Sequence, residues 1–129
     1  MKDGGERMGD EEFEFQNTEL YQQIMEYINK IYETTKRFPK IEIYGLTNQI
    51  RRASVSIALN FAEGWGRYNK KEKSQFYKVA RASIFECVAA IDISKRQNFI
   101  EREIYIEILN ESNKLSKKFN GLIKSFDGG

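Results

Sequence analysis

The sequence predicts an all-α protein, an antiparallel up-and-down four-helix bundle, on three observations. A single proline interrupts 129 residues, apolar residues recur at three- and four-residue steps in four segments, and the joins between segments are short. Four amphipathic helices with short joins bury their apolar faces by lying antiparallel around one core.

Thr18 is placed to cap the first helix, along which Leu20, Ile24, Tyr27, Ile28 and Ile31 share one face. Phe38-Pro39 ends it, because a proline disfavours helical geometry in the residue before it. Lys40 to Gly45 forms a short connection whose IEIYG run alternates like a strand, and Thr47 is the expected cap of a second helix. Ile50, Ala53, Ile57, Ala58 and Phe61 give that helix its inner face, and Gly64 and Gly66 end it. Asn69-Lys70-Lys71-Glu72 has the spacing of a capping box and opens a third helix through Phe76, Ala80, Ser83, Cys87, Val88 and Ile91. That helix stops near Gln97-Asn98. A fourth runs from about Glu101, with Ile104, Ile108, Leu115, Phe119, Leu122 and Phe126 on one side. The bundle thus spans residues 18–126, with a short tail at 127–129 and an aperiodic acidic arm at 1–17 that is expected to be disordered.

Composition excludes several function classes. No run of about 18 apolar residues exists, so no membrane span is expected, and the acidic, glycine-bearing start does not read as a signal peptide. The expected location is cytoplasmic. Cys87 is the only cysteine, which rules out an internal disulfide, and its apolar setting suits a buried thiol. The chain has no histidine, so carboxylate-bridged metal sites with Glu-x-x-His spacing and zinc sites both lack ligands. No nucleophile has a histidine base, and no glycine loop for phosphates is present. These observations point to a protein that is not an enzyme and needs no cofactor.

The residues Phe38-Pro39, Glu42, Tyr44-Gly45-Leu46, Gln49, Arg51-Arg52-Ala53, Ser56-Ile57, Asn60, Ala62-Glu63-Gly64, Gly66-Arg67, Ser83 and Glu86 form a specific pattern. It resembles the signature of the 23S rRNA intervening-sequence, or S23 ribosomal, proteins of bacteria, over about Thr18 to Phe126. The resemblance implies a left-turning bundle commonly assembled as a homopentamer, without known enzymatic activity. A related branch contains the accessory variability determinant of diversity-generating retroelements, a basic pentamer that binds a reverse transcriptase and nucleic acid. Two positions depart from the pattern: Ala82-Ser83 stands where glycine-serine is usual, and Phe61 where isoleucine is usual.

Within this pattern, Arg51, Arg52, Ser56, Asn60, Glu63, Ser83 and Glu86 read as a polar network that locks the register of the second and third helices. Ser56, Asn60 and Glu63 sit at helical spacing on one face, and Ser83 and Glu86 do the same on the facing helix. A buried ion pair between Arg52 and Glu86 is expected, so that removing one partner would strand a charge and cost about 2 to 4 kcal/mol.

Charge supplies the functional candidate. The net charge of +2 conceals an acidic first part, with seven acids and two bases in residues 1–19, and a basic middle, with eight bases and two acids in residues 51–81. The turn EGWGRYNKKEKSQFYK sets Trp65, Tyr68 and Tyr77 among Arg67, Lys70, Lys71, Lys73 and Lys78 at a helix N-terminus. Cations for phosphates and aromatic faces for unpaired bases suit contact with RNA or DNA, single-stranded or structured RNA above all. The acidic arm is expected to compete for that turn. The other reading is an oligomeric scaffold for a protein partner, in which Met25, Tyr32, Tyr105 and Ile106, off the inward faces, meet a neighbouring subunit.

Overall fold

The computed structural model describes residues 13–127, so the acidic arm up to residue 12 and the last two glycines lie outside the described residues. Phe13 leads into a single 3-10 turn, Glu14–Asn17, and four helices follow: α1 (Glu19–Thr35), α2 (Leu46–Trp65), α3 (Lys70–Arg96) and α4 (Arg102–Asp127). No strand occurs among the described residues. The architecture is the all-α four-helix bundle that the periodicity predicts.

Local chemistry sets the boundaries. Thr18 Oγ1 accepts from the Tyr21 amide at 3.1 Å, as its place before the first apolar face requires. Asn69 Oδ1 accepts from the amides of both Lys71 and Glu72 and starts α3. The start of α2 is a correction: Thr47 is buried inside the first turn, Gly45 is the N-cap residue, and the Glu42 carboxylate takes the Leu46 amide at 3.0 Å. The strand-like IEIYG is also corrected. Its first residues form a 3-10 turn, Lys40–Glu42, entered from Pro39, whose carbonyl accepts from the Glu42 amide at 2.9 Å.

The core is a column of isoleucines and aromatics. Ile24, Ile31, Ile50, Ile57, Ile84, Ile91 and Ile108 are fully buried, and Phe61, Tyr77 and Phe119 close one end. Helix α3 packs along both α2 and α4, and α1 completes the bundle against α2 and α4. Tyr27 and Ser112 join α1 to α4 through a buried hydroxyl pair at 2.7 Å. Burial raises the Tyr27 phenol above its usual range and pushes the Cys87 thiol up to about 12, so Cys87 is a packed, protonated thiol near neutral pH.

The two ends differ. One carries the α2–α3 turn and the point where the chain enters, linked by ring contacts from Phe15 to Tyr21, Phe61 and Trp65. The other carries the α1–α2 and α3–α4 connections, joined by Phe38 against Phe99.

Candidate nucleic-acid interface

The predicted polar network is partly present. Ser56 and Ser83 share a hydrogen bond at 2.9 Å across the α2–α3 seam, and the Asn60 amide donates to both the carbonyl and the hydroxyl of Ser56. Arg51 turns the other way, donating to Thr35 Oγ1 at 2.9 Å and covering the Tyr32 ring at 4.6 Å, so it ties α2 to α1. Glu63 is exposed and pairs with Arg67 one turn on.

The expected Arg52–Glu86 ion pair does not form. Both side chains are exposed, and Glu86 meets Gln49 at 3.4 Å instead. The reason is helical phase: Gln49 and Ser56, seven apart, mark the line facing α3, Arg52 and Ala53 straddle it, and it is Ala53 that is turned inward and buried while Arg52 is left in solvent. An exposed position changes the expected cost. Arg52→Ala or Glu86→Ala is expected to cost under about 1 kcal/mol in urea unfolding, and a loss of about 2 kcal/mol or more would return the pair to the interior.

The α2–α3 turn is built from packing outward. Gly64 is buried, and a Cβ there would stand 2.6 Å from the Tyr77 ring, so its lack of a side chain lets α3 cross close to α2. Trp65 ends α2 with its ring 5.9 Å from Phe61, leaving it 37% exposed. Lys73 reaches back to the carbonyl of Trp65 at 2.8 Å, in the last turn of α2, and to that of Gly64 at 3.3 Å, which also accepts from the Arg67 amide at 3.2 Å.

The cations divide by duty. Arg67 lies 4.7 Å over the Phe76 ring and pairs with Glu63 at 3.4 Å. Lys78 pairs with Asp127 at 2.9 Å, and the Ser74 hydroxyl and the Lys78 ammonium together hold that carboxyl below the usual range. Lys73 is a helix-end donor. Lys70 and Lys71 are exposed and form no ion pair with a described residue, and Tyr68 is fully exposed. The helix N-terminus is less open to anions than its sequence suggests, since Asn69 already takes two of its amides. Of the sequence candidates, Tyr68, Lys70 and Lys71 therefore remain uncommitted among the described residues, with Trp65 and Arg67 beside them.

Of the four residues predicted to face a neighbour, Met25 and Tyr105 instead pack against the core, and Tyr105 donates to Asp92. Tyr32 and Ile106 are partly exposed. Sequence reasoning missed the most exposed apolar groups outside the α2–α3 turn, Ile41 and Tyr44. The signal was the density of apolar residues in IEIYG, read there as alternation.

Among the described residues no group of three or more acidic, histidine or cysteine side chains is placed to hold a metal, and no helix is long and apolar enough to cross a membrane.

Comparison with known proteins places this geometry. No curated protein matches the chain. A crystal structure described as a protein of unknown function from the S23 ribosomal protein family of Bacteroides thetaiotaomicron shares the fold, with a TM-score of 0.73 at 21% identity over 81% of this chain and 98% of that one. The family model described as 23S rRNA-intervening sequence protein matches residues 16–121, which include all four helix cores and the α2–α3 turn. The chain belongs to the 23S rRNA-intervening sequence protein family.

Proposed function

We propose that this protein is a non-enzymatic, oligomeric accessory bundle that contacts single-stranded or structured RNA through the α2–α3 turn. One observation carries the reading: Tyr68 stands fully exposed between Arg67 and the pair Lys70-Lys71, on a backbone held by Asn69 and Lys73. An exposed ring on a rigid support stacks on an unpaired base with little loss of freedom, and adjacent ammonium groups neutralise phosphates. Several such turns on one oligomer would act together and gain avidity that a single patch lacks. A homopentamer and a reverse transcriptase partner are the finer forms of this reading that the family resemblance implies.

Fluorescence anisotropy with labelled single-stranded RNA over a salt series tests it. Tyr68→Ala is expected to weaken single-stranded RNA by about 1 to 3 kcal/mol and duplex by less, because only unpaired bases stack. Lys70→Glu with Lys71→Glu is expected to weaken unrelated sequences alike and to flatten the salt slope by about 0.7 for each lost contact. Lys73 and Lys78 are left intact, since their loss would disturb the fold. Residues 1–12 join at the same end as the turn, so their removal is expected to tighten binding at low salt. Absence of binding at about 50 mM salt, or indifference to the lysine reversals, rejects this reading.

The second reading is a protein-binding scaffold without nucleic-acid contact. It is favoured by the apolar side chains on the outer faces of α2 and α3, where Leu59 is 60% and Phe85 56% exposed, with Val79 and Ile93 also open.

A further inference from the structure

We infer that a single strand of RNA held at the α2–α3 turn runs on along the seam of α3 and α4, where Phe85 takes a second unpaired base and Lys117 and Lys124 take phosphates. This rests on the reading of the turn as an RNA contact and adds a second site to it. About 24 Å separates Asn69 from Phe85 along α3, which a stacked strand covers in roughly seven nucleotides.

Charge marks the seam. Residues 73–85 of α3 hold three bases, Lys73, Lys78 and Arg81, and no acid, while residues 112–126 of α4 hold four, Lys114, Lys117, Lys118 and Lys124, again with no acid. The two stretches lie side by side. Ser74 and Lys78 meet Asp127 near one end of the contact and Asp92 meets Tyr105 near the other, so Arg81 and Phe85 stand at its middle. Lys124 is three residues from Asp127 and Lys117 seven from Lys124, which puts both on the outward edge of the flank of α4 that borders α3. Both are exposed, and neither they nor Arg81 form an ion pair with a described residue. The other flank of α4 differs. There the lysines are already paired, Lys114 with Glu111, Lys118 with Glu19 and, from α1, Lys30 with Glu107. A polyanion therefore finds open cations along α3 and α4, and along α1 and α4 it meets carboxylates.

Phe85 supplies the ring. It is 56% exposed, and the Arg81 guanidinium lies 5.0 Å from its centroid. Arg81 Nε is buried there without a hydrogen-bond partner among the described residues. A guanidinium laid on a ring steadies that ring and turns its remaining N–H groups toward an anion, and a cation partly withdrawn from water gains more from an incoming phosphate than a fully solvated one. Phe85 also stands apart from the other exposed apolar groups of the bundle. Val79 is one turn from Ser83, which meets Ser56 of α2, whereas Phe85 is one turn from Arg81 on the side of α4. The seam thus repeats the chemistry of the turn, an open aromatic face beside uncommitted cations, at a distance that one strand spans.

Fluorescence anisotropy of the full chain with labelled oligoadenylates of about four, eight and twelve nucleotides tests this. Affinity is expected to rise about tenfold from four to eight nucleotides and then to level off. Phe85→Ala is expected to remove that rise while leaving the four-nucleotide RNA bound within about twofold, and Phe85→Tyr, which keeps the ring, to preserve it. Lys117→Glu with Lys124→Glu is expected to flatten the salt slope of the eight-nucleotide RNA by about 0.7 for each lost contact. Lys36→Glu with Lys40→Glu, the same change of charge at the far end of the bundle, is expected to leave that slope as it is. All five positions are exposed, so circular dichroism is expected to show every variant folded. A rise with length that Phe85→Ala does not touch, or equal losses from the two lysine pairs, would overturn the inference, and the turn reading would still stand if Tyr68→Ala weakened the four-nucleotide RNA. Failure of RNA of every length to bind would overturn both. Polyglutamate bound as tightly as the eight-nucleotide RNA would overturn the inference too, because charge alone would then account for the seam.

Discussion

Replacing Phe61 by alanine is expected to lower the unfolding free energy by about 3–5 kcal/mol. Phe61 is 1% exposed, and its ring meets Tyr21 from α1 at 6.3 Å, Tyr77 from α3 at 6.0 Å, Phe119 from α4 at 6.2 Å and Trp65 on its own helix at 5.9 Å. One side chain thus touches all four helices at the end that carries the candidate interface. Alanine leaves a cavity there that the surrounding rings, each held by further contacts, cannot collapse to fill. Against a total stability of about 5–15 kcal/mol for a domain of this kind, the loss is large enough to move the urea midpoint well clear of error. Phe61→Ile, which keeps an apolar group of comparable reach, is expected to cost under about 1.5 kcal/mol. If alanine cost no more than isoleucine, the aromatic cluster would be loosely packed and Phe61 would not be its hub. A further consequence follows for the site. Trp65 rests on Phe61, so Phe61→Ala is also expected to red-shift Trp65 fluorescence and to open it further to an added quencher such as acrylamide.

The helices were legible because burial on one face enforces a period, and period survives in a single sequence. Thr18 and Asn69 were legible as caps for a similar reason, since each acts on amides two or three residues away. The start of α2 was not. Its first amide is taken by Glu42, and nothing in the spacing of Glu42 and Leu46 distinguishes that bond from a solvent-exposed carboxylate until the turn between them is known. The candidate site divided along the same line. Exposure of Tyr68, Lys70 and Lys71 followed from their place in a turn. The engagement of Lys78 did not, because its partner Asp127 stands at the far end of the chain and meets it only when α4 returns beside α3. The Arg52–Glu86 expectation failed on phase: the argument from the turn located the level along the helices, and the direction each side chain takes depends on where in the 3.6-residue cycle the seam falls.

Gly64→Val is expected to cost about 3 kcal/mol, the upper end of what overpacking usually does. The residue is buried, and a Cβ alone would lie 2.6 Å from Tyr77 Cε1, 3.0 Å from Cδ1 and 3.1 Å from Phe76 Cβ. The first of these is closer than carbon atoms approach without displacement, and the Tyr77 ring has little room to move. It is 1% exposed and lies between Phe61 at 6.0 Å, Phe119 at 6.4 Å and Phe126 at 5.8 Å. Glycine inside a helix is ordinarily a weakness of about 1 kcal/mol relative to alanine, so a substitution here improves helix propensity while it worsens packing. The two effects have opposite signs, and the contact distances decide which prevails. Valine adds two methyl groups to the clash and should show a net loss, whereas alanine, with only the Cβ, should fall between valine and the native glycine. The cause is separable by a double-mutant cycle with Tyr77→Leu, which removes the ring edge the new Cβ strikes. If contact with that ring is what glycine avoids, Gly64→Val and Tyr77→Leu together will cost less than the sum of the two single changes in urea unfolding. Strict additivity would mean that Gly64 is kept for the backbone turn into Gly66 and Arg67 rather than for the close crossing of α2 and α3, and the support of the Tyr68 turn would then have to be sought in Asn69 and Lys73 alone.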